Sequence, residues 1–121
     1  MIFIYNAKSG KGQALLDSAH KFFSPKTYPC SLCELTYGTF GEKADWKKFR
    51  ESFDIPLEFL HRDEIQAAEL NLPSEFELPV ILAWIDGKPL TLIQKQELAS
   101  MESVGQLIAA ITEKANLTRS R

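Results

Sequence analysis

The chain is 121 residues long, 45% apolar and 25% charged, with a formal net charge of −2. These values describe a single soluble globular domain, 1–121, with one modest core. There is no surplus of Lys and Arg to neutralise phosphates, so no nucleic-acid partner is expected.

"MIFIY" at the start is a short apolar run and reads as a buried strand. "MIFIYNAKSGKG" has no basic n-region and too short an apolar run for a signal peptide. No apolar run approaches the roughly 18 residues of a membrane span, so no membrane partner is expected and the expected location is cytoplasmic. "NAKSGKG" supplies turn residues, Asn6, Ser9, Gly10 and Gly12. A helix is predicted from about Gln13 to Phe23, with Leu15, Ala19, Phe22 and Phe23 on one face, ended by Ser24-Pro25.

The segment "TYPCSLCELTYG" holds the only two cysteines, Cys30 and Cys33. The two glycines of "GTFGEK" predict a loop after it, and "ADWKKFRESF" predicts a helix with Trp46, Phe49 and Phe53 on one side. "LEFLHRD" alternates Leu57, Phe59 and His61 with Glu58, Leu60 and Arg62, the pattern of a second strand. Asp63 and Gln66 have capping-box spacing for a short helix through Leu70. "LPVILAWIDGKPLTLIQ" reads as two strands joined at Asp86-Gly87. "SVGQLIAAITEKA" closes the chain as a helix, with Ser103 and Gln106 as capping box and Val104, Leu107, Ile108 and Ile111 as its buried stripe. Strands separated by helices imply parallel crossovers, and the hairpin adds an antiparallel edge. The expected architecture is α/β, a central four-stranded mixed sheet flanked by helices, with an insert carrying the Cys-x-x-Cys.

From Leu78-Pro79-Val80 onward the chain resembles the thioredoxin-like superfamily. The strand "VILAWI", the turn "DGK", the strand "PLTLI" and the helix after Ser103 match that family in order and spacing. "MIFIY" and the helix after it extend the likeness. The resemblance implies a cis peptide at Leu78-Pro79, with both residues at the substrate-binding edge, and antiparallel pairing of 80–85 with 89–93. The chain departs from the family in one respect. The family's Cys-x-x-Cys directly follows the first strand and opens a long helix. Here "NAKSG" stands in that place, and Gly38 and Gly41 prevent a long helix from growing out of the cysteine segment.

Cys30 and Cys33 admit three readings. As a redox pair, one thiolate accepts hydrogen bonds from free backbone N–H groups in a tight turn and the second resolves a mixed disulfide. Cys30 is then the attacking thiol, because the N-terminal cysteine of such motifs is usually the exposed one, and protein thiols or disulfides are the partners. In a cytosolic setting the pair is normally reduced, which argues against a purely structural disulfide. The second reading is two small buried apolar side chains in a non-enzymatic binding or structural domain. The third is a Cys₂His₂ zinc site with His20 and His61, although their spacing fits no zinc-finger pattern. His61 is expected to bond Asp63 or a backbone carbonyl instead. No other cofactor is expected, and the sequence does not decide the oligomeric state.

"NAKSGKG" also resembles the Asn-Pro-x-Ser-Gly-x-Gly start of lipid kinase catalytic domains, with Lys8 and Lys11 as phosphate contacts. It is no Walker A, since Gly-Lys-Ser/Thr is missing at the required spacing. A plain strand–turn–helix connection is the reading kept.

Overall fold

A computed structural model describes residues 1–6, 30–38, 41–65, 72–73 and 76–119 of the chain. Its elements are β1 (Ile2–Tyr5), α1 (Ser31–Thr36), β2 (Tyr37–Gly38), β3 (Gly41–Glu42), α2 (Ala44–Ser52), β4 (Glu58–His61), β5 (Val80–Ile85), β6 (Lys88–Ile93), α3 (Lys95–Ser100) and α4 (Val104–Arg119). A 3₁₀ turn, Arg62–Glu64, follows β4.

Four strands form one mixed sheet in the order β4-β1-β5-β6. β1 runs parallel to β4 and antiparallel to β5, and β5 is antiparallel to β6. β1 lies inside the sheet with both faces covered, which is why its residues are apolar without alternation. Phe3 and Tyr5 point into the larger core, with Ile81, Ile93, Trp46, Leu98, Leu107 and Ile111. Ile2 and Ile4 point the other way and meet Val80 and Leu82, covered by Ile65, Leu72, Phe76 and Leu78.

The hairpin follows from its turn residues. Asp86 and Gly87 both have positive φ, 54° and 76°, the conformation that matches a two-residue turn to the twist of the flanking strands. Near its open end the register slips by one residue: Ile81 pairs with Ile93 but Leu82 pairs with Thr91. The extra residue lets the consecutive side chains Leu92 and Ile93 both enter the larger core.

α2 buries Trp46 against Phe3, Phe49 and Phe59, as its apolar spacing predicts. α4 buries Leu107, Ile111 and Ala115, while Val104 and Ile108 stay half-exposed. Ser103 Oγ accepts the Gln106 N–H as expected, but the Gln106 side chain reaches back to the Glu102 N–H. "GTFGEK" is not a plain loop. Gly38, Gly41 and Glu42 belong to a two-stranded ribbon, Tyr37–Gly38 against Gly41–Glu42, and Lys43 is the N-cap of α2. Arg50 grips Glu42 through two bonds of 2.6 and 2.8 Å and fastens that ribbon to α2. α3 was not expected at all. Its helix-forming run "KQELAS" carries a single apolar anchor, Leu98, too little periodicity to read. The helix expected over 13–23, with His20, the turn from Lys8 to Gly12, and the stretch 66–70 lie outside the described residues.

Candidate functional site

Cys30 is the N-cap of α1, in extended conformation with φ −115° and ψ 90°. Its sulfur accepts the Cys33 N–H at 3.2 Å, the place that a Ser or Asp oxygen takes at an ordinary helix start. The geometry that lets an N-cap side chain reach the third helical N–H also brings the third side chain back to the cap. Cys30 and Cys33 therefore meet, with sulfurs 2.19 Å and Cα atoms 5.2 Å apart, as a disulfide. α1 is short, as the glycines predict. It ends where the Tyr37 N–H caps the Cys33 carbonyl and the chain enters the ribbon.

A second donor reaches the same sulfur from far along the chain. The Asn6 backbone N–H, just past β1, lies 3.3 Å from Cys30 Sγ. The Cys-x-x-Cys thus returns to the end of the first strand, although 23 residues separate Asn6 from Cys30 in the sequence. The Leu78-Pro79 bond is cis, as the resemblance implied. β1 and β5 are antiparallel and pair through Ile4 and Val80, so Tyr5, which closes β1, and Pro79, which precedes β5, lie at the same end of that pair. The proline and the dithiol thereby share one end of the sheet. Leu78 turns away and packs on the second core.

Comparison with family models, with curated proteins and with solved structures found no match.

Exposure does not single out Cys30, which corrects the expectation that assigned its role. Cys30 has no accessible surface and Cys33 is 7% exposed. Cys30 Sγ instead receives two backbone N–H donors, from Asn6 and Cys33. His61 also differs from expectation. It is the parallel partner of Tyr5, and its Nδ1 lies 2.8 Å from a Glu64 carboxylate oxygen, not on Asp63 or a carbonyl. The His61 backbone N–H donates to that same oxygen. Glu64 is held below its usual carboxylate range first by this backbone bond and then by the imidazole. The helix start expected at Asp63 is accordingly a 3₁₀ turn capped by His61. Among the described residues no group of three or more His, Cys, Asp or Glu side chains is placed to hold a metal, and His20 lies outside them. No described helix is long and apolar enough to cross a membrane.

Tyr5 lines the site between strand end and ribbon. Its ring faces those of Phe59, His61 and Tyr37, with centroids 6.2, 5.6 and 6.3 Å away. Burial, and secondarily Tyr37, raises its phenol well above the ordinary value, so the hydroxyl stays neutral. That hydroxyl has no hydrogen-bond partner among the described residues. The Thr36 hydroxyl near it donates instead to the Leu32 carbonyl. Sequence reasoning missed the Asn6 N–H on Cys30 and the bond from Arg62 Nη1 to Asn6 Oδ1. Asn6 reads only as a turn residue, and no local pattern signals a partner 24 or 56 positions away.

Proposed function

We propose that the chain is a small cytosolic thiol-disulfide oxidoreductase of thioredoxin-like fold, acting on protein thiols and disulfides through Cys30 and Cys33. The observation that carries this reading is the convergence of two backbone N–H groups on Cys30 Sγ. Such donors bond a thiolate more strongly than a thiol or a disulfide sulfur, so they lower the pKa of Cys30 in the reduced protein. The sheet order, the cis Leu78-Pro79 bond and the return of the dithiol to the end of β1 support the family reading.

In the reaction, the Cys30 thiolate attacks one sulfur of a substrate disulfide. That S–S bond breaks, and the departing sulfur leaves as a thiolate that takes a proton from water. Cys33 then gives up its proton and attacks Cys30 Sγ in the mixed disulfide, releasing the second substrate sulfur. Two electrons pass from the dithiol to the substrate, and the Cys30–Cys33 bond forms. Two molecules of a small thiol of the glutathione class return the pair to the dithiol by the reverse exchange and leave as their own disulfide.

A second reading has its own observation. Both sulfurs are buried, and a sulfur without exposed surface is attacked only after local opening. On this reading the pair is a packing and cross-linking element in a non-enzymatic binding domain. One experiment separates the two. Thiolate absorbance of the reduced Cys33→Ser variant is followed against pH, alongside catalysis of protein-disulfide reduction by the unmodified chain. The redox reading expects Cys30 to ionise well below the ordinary value of about 8.5, and catalysis to vanish in Cys30→Ser. Ionisation near 8.5 with no catalysis leaves the non-enzymatic domain.

A further inference from the structure

We infer that Arg62 is a positioning residue for the dithiol, acting through Asn6. The inference rests on the redox reading above. Asn6 makes two contacts at once. Its backbone N–H points at Cys30 Sγ at 3.3 Å, and its side-chain Oδ1 accepts a bond from Arg62 Nη1 at 3.2 Å. Asn6 directly follows the last residue of β1, and its side chain and backbone are held by different parts of the chain. Arg62 contributes a restraint on that residue from the turn that follows the neighbouring parallel strand. Tyr5 pairs with His61, so Asn6 and Arg62 stand at the next step beyond the paired strands.

Arg62 is itself well anchored. It opens the 3₁₀ turn whose last residue, Glu64, binds both the backbone N–H and Nδ1 of His61 at 2.8 Å. A connected path runs from Glu64 through His61 and Arg62 to Asn6, and from there to the sulfur. The planar guanidinium holds an amide oxygen in a defined direction, which a lysine ammonium on its flexible stem does not. The aimed N–H matters most when Cys30 is a thiolate, because a charge-assisted bond is about twice as strong as a neutral one. Arg62 thus stabilises the reduced state and makes the pair a stronger oxidant, since whatever stabilises the dithiol raises its potential.

The test measures Cys30 ionisation in the reduced protein and the equilibrium of the pair with a glutathione buffer. It uses the full chain and the variants Arg62→Ala, Asn6→Ala, the double variant and Arg62→Lys. Arg62→Ala and Asn6→Ala should each raise the Cys30 pKa and shift the equilibrium roughly three- to tenfold toward the disulfide, a part of one charged hydrogen bond. Arg62→Ala should add nothing to Asn6→Ala in the double variant, because the bond it removes ends on the Asn6 side chain. The contact is exposed, so thermal unfolding should stay close to that of the unmodified chain and report that all variants fold. A lowered Cys30 pKa that both single substitutions leave unchanged overturns the role of Arg62 and leaves the redox reading standing. Full rescue by Arg62→Lys also overturns it, because charge alone would then suffice. An ordinary Cys30 pKa in the unmodified chain overturns the redox reading, and this inference with it.

Discussion

The β5–β6 hairpin and the cysteine segment 30–43 are comparable in size, but they are held in opposite ways. The hairpin is built from neighbours. Asp86 and Gly87 set its turn, and residues 80–85 pair with the strand that immediately follows. The cysteine segment contributes one short helix and two two-residue strands. Much of its order comes from elsewhere: from the Asn6 N–H on Cys30, from Arg50 on Glu42, and from Leu32 and Leu35 sunk in the larger core. Local chemistry sets the turn and register of an element, and distant contacts such as the pairing of β5 with β1 then add stability to it. A segment assembled by distant contacts can be adjusted by them, which is useful where a sulfur has to be tuned.

Removing the cross-link tests that contrast most strongly. A disulfide closing a loop of about four residues contributes about 2 kcal/mol in the chain-entropy model. Reduction should lower stability in denaturant unfolding by about that amount. Amide exchange should accelerate over α1 and the ribbon while β5 and β6 keep their protection. Uniform acceleration across the sheet would show that the two regions unfold as one unit. A smaller effect is expected at the hairpin turn. Gly87 has φ 76° with no atom within 4 Å of an added Cβ, so Gly87→Ala meets only backbone strain, about 1–2 kcal/mol. Its loss should leave Cys30 ionisation unchanged. A shifted thiol pKa in this variant would mean that the hairpin and the dithiol are coupled.

The smallest effect comes from the turn that carries Arg62. The folded-state pKa of Glu64 lies below its unfolded value of 4.5, chiefly through the His61 N–H. Its contribution is therefore present above pH 4.5 and is lost as the pH falls through the folded value. The Glu64 side chain is 43% exposed, so solvent screens the effect. Comparing Glu64→Gln with the unmodified chain should show stability curves that differ at neutral pH and converge in acid. Curves that stay parallel into acid would remove Glu64 as an anchor of the turn.

The contrast also explains what the sequence made legible. β1, the hairpin, α2 and α4 each carry their own periodicity or turn signal, and all four are found. The cis Leu78-Pro79 bond follows from the resemblance rather than from any local signal. The ribbon at 37–42 was hidden because its two glycines read as a loop. α3 was hidden because Leu98 alone gives no period. At the candidate site, the spacing of Cys30 and Cys33 was legible as a pair. Which sulfur is favoured was not, because one of its donors belongs to a residue 24 positions earlier. The partner of His61 was missed within its own turn. His61, Asp63 and Glu64 all lie within reach of one another in sequence, and only the 3₁₀ winding brings Glu64 round to the imidazole.

β6 forms one margin of the described sheet, and a margin is where a sheet recruits strangers. Another chain approaching there would seek a regular row of donors and acceptors. It would meet a charged Lys88, then Pro89, which has no N–H to offer, and finally the register slip beside Leu92 that breaks the row. Only the middle of the strand, around the partly exposed Leu90, offers uninterrupted backbone, too short a run to seed the stacking of one molecule on the next. The residues that shape the hairpin and fill the core thereby also limit self-association through this edge.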